Sequence, residues 1–305
     1  MGFFKKLFSG QEVSPENEKK QQETKNFEVL KYDGVAALRQ GEFEYAVKCF
    51  NHALEIKTDL EINDYLSRAY TAMGQLSEAM GQLQILKEAQ PDNILILKNM
   101  ANIAFMMEDY DEMAVVCDKA ETIDADDPQV RFLHARAVLG QGNQIIGVAL
   151  LTKCIMQCEA QNTEDLKDDH VIEGAYLLRG ETLLKMGDLN GAGEDADWLM
   201  SHSKAENEDV LMLKARVLHA KGENDEAIKF YDRVVEADPF SAIAYKERGA
   251  IKLEKGDKEG AEEDARKVIE LTPEVANVDG DFKAEGTEDI QRKVEEAYRN
   301  NNPFK

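Results

Sequence analysis

The stretch "GENDEAIKFYDRVVEADP", Gly222–Pro239, is followed thirty-four residues later by "GDKEGAEEDARKVIELTP", Gly256–Pro273. Both open on a turn glycine. Both place an alanine five residues on, Ala227 and Ala261, and continue with aliphatic residues three and four apart. That spacing puts the apolar side chains on one face of a helix. Both close on a proline, which cannot continue the helix. The chain writes one helical sentence twice.

Working outward, the turn glycine serves as an anchor. Gly41, Gly74, Gly142, Gly187, Gly222 and Gly256 each stand between two helix-like segments, and Glu108 fills the missing slot. The spacings are 33, 34, 34, 45, 35 and 34. A fixed period near 34 is the signature of a repeat architecture. Glycine there can take the left-handed conformation that ends one helix before the next begins. Seven residues before each anchor stand Gly34, Ser67, Ala101, Ala135, Gly180, Ala215 and Gly249, all small. Five after stand Ala46, Ala79, Met113, Gly147, Ala192, Ala227 and Ala261. Small side chains at both points let two antiparallel helices approach closely. Nine and twelve residues after the anchor lie apolar positions, from Phe50 and Ala53 through to Ala265 and Val268, one face of the second helix. Pro91, Pro239 and Pro273 end second helices.

This pattern resembles the tetratricopeptide repeat over roughly residues 27–273. The resemblance implies an all-α fold: a right-handed superhelical solenoid of about seven helix hairpins plus a C-terminal capping helix. One hairpin cannot bury its own apolar face, so stacked units build a continuous core. The organisation expected is a flexible segment over residues 1–25, repeats over 26–273 and the capping helix over 274–305. Thr287 is the expected N-cap of that last helix, with Ile290, Val294, Ala297 and Tyr298 on its apolar face. Three departures are local. Repeat three lacks its glycine, an insertion near residues 159–172 ("QNTEDLKDDH", 161–170) separates repeats four and five, and repeat five ends without proline.

Composition agrees with a helical, packed chain. Of 305 residues 43% are hydrophobic, and only six are proline. Net charge is -23 with a pI near 4.7. So negative a surface repels phosphates, which argues against nucleic acid as a partner. The four cysteines, Cys49, Cys117, Cys154 and Cys158, form no C-x-x-C pair, and no secretory leader is read. A cytoplasmic setting is the expectation. No run of eighteen apolar residues occurs.

At the start, "MGFFKKLF" would place Phe3, Phe4, Leu7 and Phe8 on one side of a helix and Lys5 and Lys6 on another. That is an interfacial pattern, and it makes membrane contact through residues 1–8 an alternative to a disordered start. The myristoylation pattern wants Ser or Thr where Lys6 stands. Residues 9–25 are polar, include Pro15 and read as a linker.

No catalytic constellation is found: neither H-E-x-x-H, nor a P-loop, nor G-x-S-x-G. Cys154 and Cys158 are four apart on one helix face but lack further ligands, and Cys154 falls on a repeat core position. They read as buried hydrophobes. "DADDP" (124–128) lacks the ligand spacing of a calcium loop. Trp198 reads as core. The expectation is no enzyme, no cofactor and no metal.

Repeats of this family bind protein segments in a concave groove lined by first helices. The position six before each anchor, which the resemblance implies to face that groove, carries Val35, Arg68, Asn102, Arg136, Glu181, Arg216 and Ala250. Arg68, Arg136 and Arg216 would grip carboxylates bidentately. Around them lie Lys98, Lys246, Phe105, Phe132 and Met212. The competing reading is that these arginines pair with acids on neighbouring helices and bind nothing. Lys98 and Asn102 match half of the family's clamp for acidic chaperone tails. Leu133, Gly174 and Leu178 stand where its other residues belong, so that clamp is rejected. The function expected is a scaffold holding a protein or peptide, acidic or C-terminal, in its groove. The alternative is a peripheral membrane tether at the inner face of the membrane.

Overall fold

The computed structural model of the chain describes residues 15–161, 170–202 and 207–272. Among the described residues lie fourteen α-helices and no strand. They come in pairs: α1 (Pro15–Gln40) with α2 (Phe43–Ile56), α3 (Leu60–Ala72) with α4 (Leu76–Ala89), and α5 (Ile94–Met106) with α6 (Tyr110–Ile123). Then come α7 (Pro128–Gly140), α8 (Gln144–Gln161), α9 (His170–Met186), α10 (Leu189–His202), α11 (Glu208–Ala220), α12 (Asn224–Ala237), α13 (Ala242–Glu254) and α14 (Lys258–Leu271).

The chain divides into two compact units after Asn143. In the first, hairpins α1/α2, α3/α4 and α5/α6 stack in chain order, α2 against α3, α4 against α5, and α6 against α7. First helices also touch, α1 with α3 and α5 with α7. In the second unit α8 meets α9, and hairpins α9/α10, α11/α12 and α13/α14 follow in the same order. Each unit is thus a stack of helical hairpins.

Local chemistry sets the helix starts. Asp59, Asn93, Asp109, Asp127, Asn207, Ser241 and Asp257 each accept a bond from an otherwise unpaired N–H of the first turn. Pro128 occupies the first turn of α7, where no N–H is needed. The turns repeat one device. All six anchor glycines have φ between 71° and 84°. The residue after the anchor donates to the carbonyl five residues back, as Gln75 does to Tyr70 at 2.9 Å. Glu108 takes the same turn at φ 57°, and Asp109 donates to Ala104 at 2.9 Å. It is the one non-glycine with positive φ among the described residues.

The small positions do what their spacing requires. Ala46, Ala79, Ala192 and Ala227 are fully buried. A Cβ at Gly34 would fall 2.6 Å from the Phe50 ring, and one at Gly180 would fall 2.8 Å from Leu213. Around these contacts lie the cores. In the first unit they include Phe50, Leu66, Leu83, Leu97, Met100 and Met113; in the second, Leu211, Tyr231, Val234 and Ile251. Each such aliphatic side chain contributes about 1.5–3 kcal/mol on burial.

One expected boundary moves. Residues 15–25, read as linker, continue α1. Glu16 and Glu18 favour the positive end of a helix, and Lys20 pairs with Glu16 at 3.2 Å one turn away. Residues 1–14, residues 162–169 within the insertion and the capping-helix segment 273–305 lie outside the described residues.

Candidate functional site

The candidate residues lie at fixed positions of first helices, so the repeat sets where they stand. In the first unit Arg68, Asn102 and Arg136 occupy the same turn position of α3, α5 and α7. Arg68 and Asn102 are exposed. Among the described residues Arg68 pairs only with Asp64, one turn back, at 3.9 Å, a pair too open to neutralise it.

Arg136 is half-buried and differently held. Its guanidinium carbon sits 3.5 Å from the ring centre of Phe105 on α5 and 5.7 Å from that of Phe132. Phe105 is in turn met edge-on by Tyr110, at 6.3 Å and 66°. Tyr110 has room because residue 140 has no side chain: a Cβ there would fall 2.2 Å from the tyrosine ring. Burial pushes the Arg136 guanidinium below the ordinary arginine range.

Two of the expected groove cations, Arg216 of the row and Lys98 beside it, are paired with acids of neighbouring helices, as the competing reading has it. The Lys98 ammonium is held by Asp127, the N-cap of α7, and by Gln129 at 3.0 Å. It fastens α5 to α7, as Lys31 fastens α1 to α3 through Asp59 at 2.8 Å and Glu61 at 2.5 Å. Arg216 gives its fork to Glu247 through two bonds of 2.8 Å, and the buried Tyr231 hydroxyl donates to the same carboxylate. The reason is charge supply: a chain with 60 acidic residues places acids beside most buried cations. Lys246 is partly exposed, and Met212 is buried in the core of the second unit.

Other arginines of first helices are paired as well: buried Arg131 of α7 with Glu121 at 3.6 Å and the Ala125 carbonyl, and the half-buried Arg179 and Arg248 with aspartates. Arg179 grips Asp195 at 2.6 and 3.0 Å and reaches Thr152. Arg248 grips Asp264 at 2.5 and 3.0 Å and reaches Asp232. These two sit eight residues before their anchors, with their aspartates eight after. The recurrence is in the sequence and was a readable sign of a structural pair. Tyr110 and Gly140 were missed, because nothing in the spacing links them before α6 and α7 are packed together. Trp198, expected in the core, is partly buried between Tyr176 at 3.9 Å and His202 at 4.2 Å. Cys49, Cys117, Cys154 and Cys158 are buried, and no disulfide joins them.

Hairpins of this length, closed by the same left-handed turn and stacked through small residues, define tetratricopeptide repeats. Residues 177–242 match the tetratricopeptide repeat family model. No protein of curated function matches the sequence. Among solved structures, a tetratricopeptide repeat protein from Parabacteroides merdae is 16% identical, with 89% of this chain and 98% of that one covered at a TM-score of 0.66. PilW, a type IV pilus biogenesis factor, is 14% identical, with 77% and 98% covered at 0.62. PilF of Pseudomonas aeruginosa is 15% identical, with 74% and 97% covered at 0.56. At these identities the likeness is one of fold. Residues 177–242 thus carry the tetratricopeptide repeat, and the described hairpins on either side share its fold.

Proposed function

We propose that the protein is a non-enzymatic scaffold for protein–protein interaction. In this reading a segment of a partner, acidic or C-terminal, lies along the first-helix face of the first unit. One observation carries it. In a chain of net charge -23, Arg136 is half-buried and yet bonds no carboxylate among the described residues. Exposed Arg68 and Asn102 continue its row, and Leu95 and Met106 of α5 expose apolar surface. Carboxylates for the arginines and apolar contact for affinity are what a protein segment brings. Cysteines outside any disulfide fit a reducing, cytoplasmic setting. Among the described residues no helix is long and apolar enough to cross a membrane. The tether alternative rests on residues 1–8, outside the described residues.

The test is site-specific photo-cross-linking in native lysate, with a photoreactive side chain at position 102 of the full chain. The control carries it at Val115, which is exposed on the second helix α6. A discrete protein adduct at 102, competed by acidic peptide and weak at 115, is expected. Equal labelling at both positions contradicts the reading.

A further inference from the structure

We infer that Arg136 is an oxyanion receptor whose guanidinium, held over the Phe105 ring, takes one carboxylate of the bound partner segment. This rests on the reading that the first-helix face of the first unit holds such a segment.

A guanidinium carries five N–H donors in one plane. Stacking on Phe105 at 3.5 Å uses its face and leaves its edge. Elsewhere among first helices, arginines as half-buried as Arg136 give that edge away: Arg179 to Asp195, Arg216 to Glu247 and Arg248 to Asp264. In each of these, burial works against the charge, but the carboxylate overcomes it and holds the group above the ordinary arginine range. Arg136 has no carboxylate or carbonyl partner among the described residues, and burial, only partly opposed by Tyr110, moves it the other way. A part-desolvated cation without a counter-ion is costly to keep.

The site is also built rather than incidental. Phe105 supplies the platform, Tyr110 packs against it at a steep angle, and Gly140 leaves the space Tyr110 occupies. The platform fixes the plane in which donors point, and a planar two-oxygen acceptor matches that fork. A carboxylate has this shape, whether from an Asp or Glu side chain or from a chain terminus. The exposed Met106, one turn beyond Asn102 on α5, suits an apolar side chain of the segment that carries the carboxylate.

The test uses the full chain with 15N-labelled arginine. The Arg136 Nε–Hε signal is assigned by its loss in Arg136→Lys. Three probes are titrated: N-acetyl-leucine with a free α-carboxylate, N-acetyl-glutamate α-amide with a side-chain carboxylate, and N-acetyl-leucinamide with none. The expected result is a saturable shift at Arg136 with a carboxylate probe and none with leucinamide. Half-saturation should come at a concentration about tenfold below that at exposed Arg68. The carboxylate that acts at lower concentration identifies the source. Phe105→Leu, which keeps the charge but removes the platform, should weaken the response about fivefold. No saturable shift, or one equal at Arg136 and Arg68, overturns the inference. Partner adducts at position 102 with an unmoved Arg136 would overturn this inference alone and leave the scaffold reading standing.

Discussion

Arg216 of α11 holds Glu247 of α13 through two hydrogen bonds of 2.8 Å, and Tyr231 of α12 donates a third at 2.8 Å to the same carboxylate. Three helices from two repeats therefore meet on one buried acid. Removing only the arginine leaves Glu247 charged, 8% exposed and uncompensated. Arg216→Ala should cost about 3–5 kcal/mol in urea unfolding, whereas the double change Arg216→Met/Glu247→Leu should recover most of it. An Arg216→Ala protein of wild-type stability would show that the pair does not join these repeats.

The turn at Glu108 offers a stabilising change. Its φ of 57° is a conformation that glycine takes freely and other residues take at a cost. Glu108→Gly should stabilise the protein by about 1 kcal/mol. At Gly222, φ 80°, the change to Ala should destabilise by a similar amount, about 1 kcal/mol. Thermal unfolding of the two variants, moving in opposite directions, checks the assignment.

Much of the fold was legible because its constraints are local. A left-handed residue must end each first helix, and glycine marks six of those seven positions. Glu108 could be placed only by the period, and the structure gives it the same turn. The candidate site was legible in part. Its row was found by counting from the anchors, but counting does not show what each cation meets. Lys98 and Arg216 find their acids 29 and 31 residues on, across a helix–helix contact that only packing sets. The Tyr110–Gly140 seat is of the same kind.

Close approach at the small positions gives a packing test. Ala227 is fully buried, so Ala227→Phe should overpack the sixth hairpin and cost about 1–3 kcal/mol or more. Gly34→Ala meets the Phe50 ring at 2.6 Å and should cost about 1–3 kcal/mol unless that ring can move. Chemical denaturation measures both.

The thiols should be silent in the folded protein. Burial first, then Glu121 and Asp118, push the Cys117 thiol up to about 12. Little thiolate then exists at neutral pH. A thiol reagent should label none of the four cysteines until global unfolding, and native mass spectrometry should find no zinc. Rapid labelling without denaturant would refute the buried assignment.

Lys31 links stability to acid. Its hydrogen bonds hold Asp59 and Glu61 below the ordinary carboxylate range. A carboxyl lowered in the folded state stabilises above its unfolded pKa, and that contribution is lost as pH falls through the folded value. The stability gap between wild type and Lys31→Met should therefore be full at about pH 6 and shrink below about pH 4. A gap that widens in acid would contradict the pairing.

The central claim is that the first-helix face of the first unit receives the partner. Hydrogen–deuterium exchange of the full chain, alone and with the protein recovered from the adduct at position 102, tests it most directly. Protection should appear in α3, α5 and α7 and be strongest around Arg136, with α11 and α13 unchanged. Protection confined to α11 and α13, or to the second helices α4 and α6, would contradict the account.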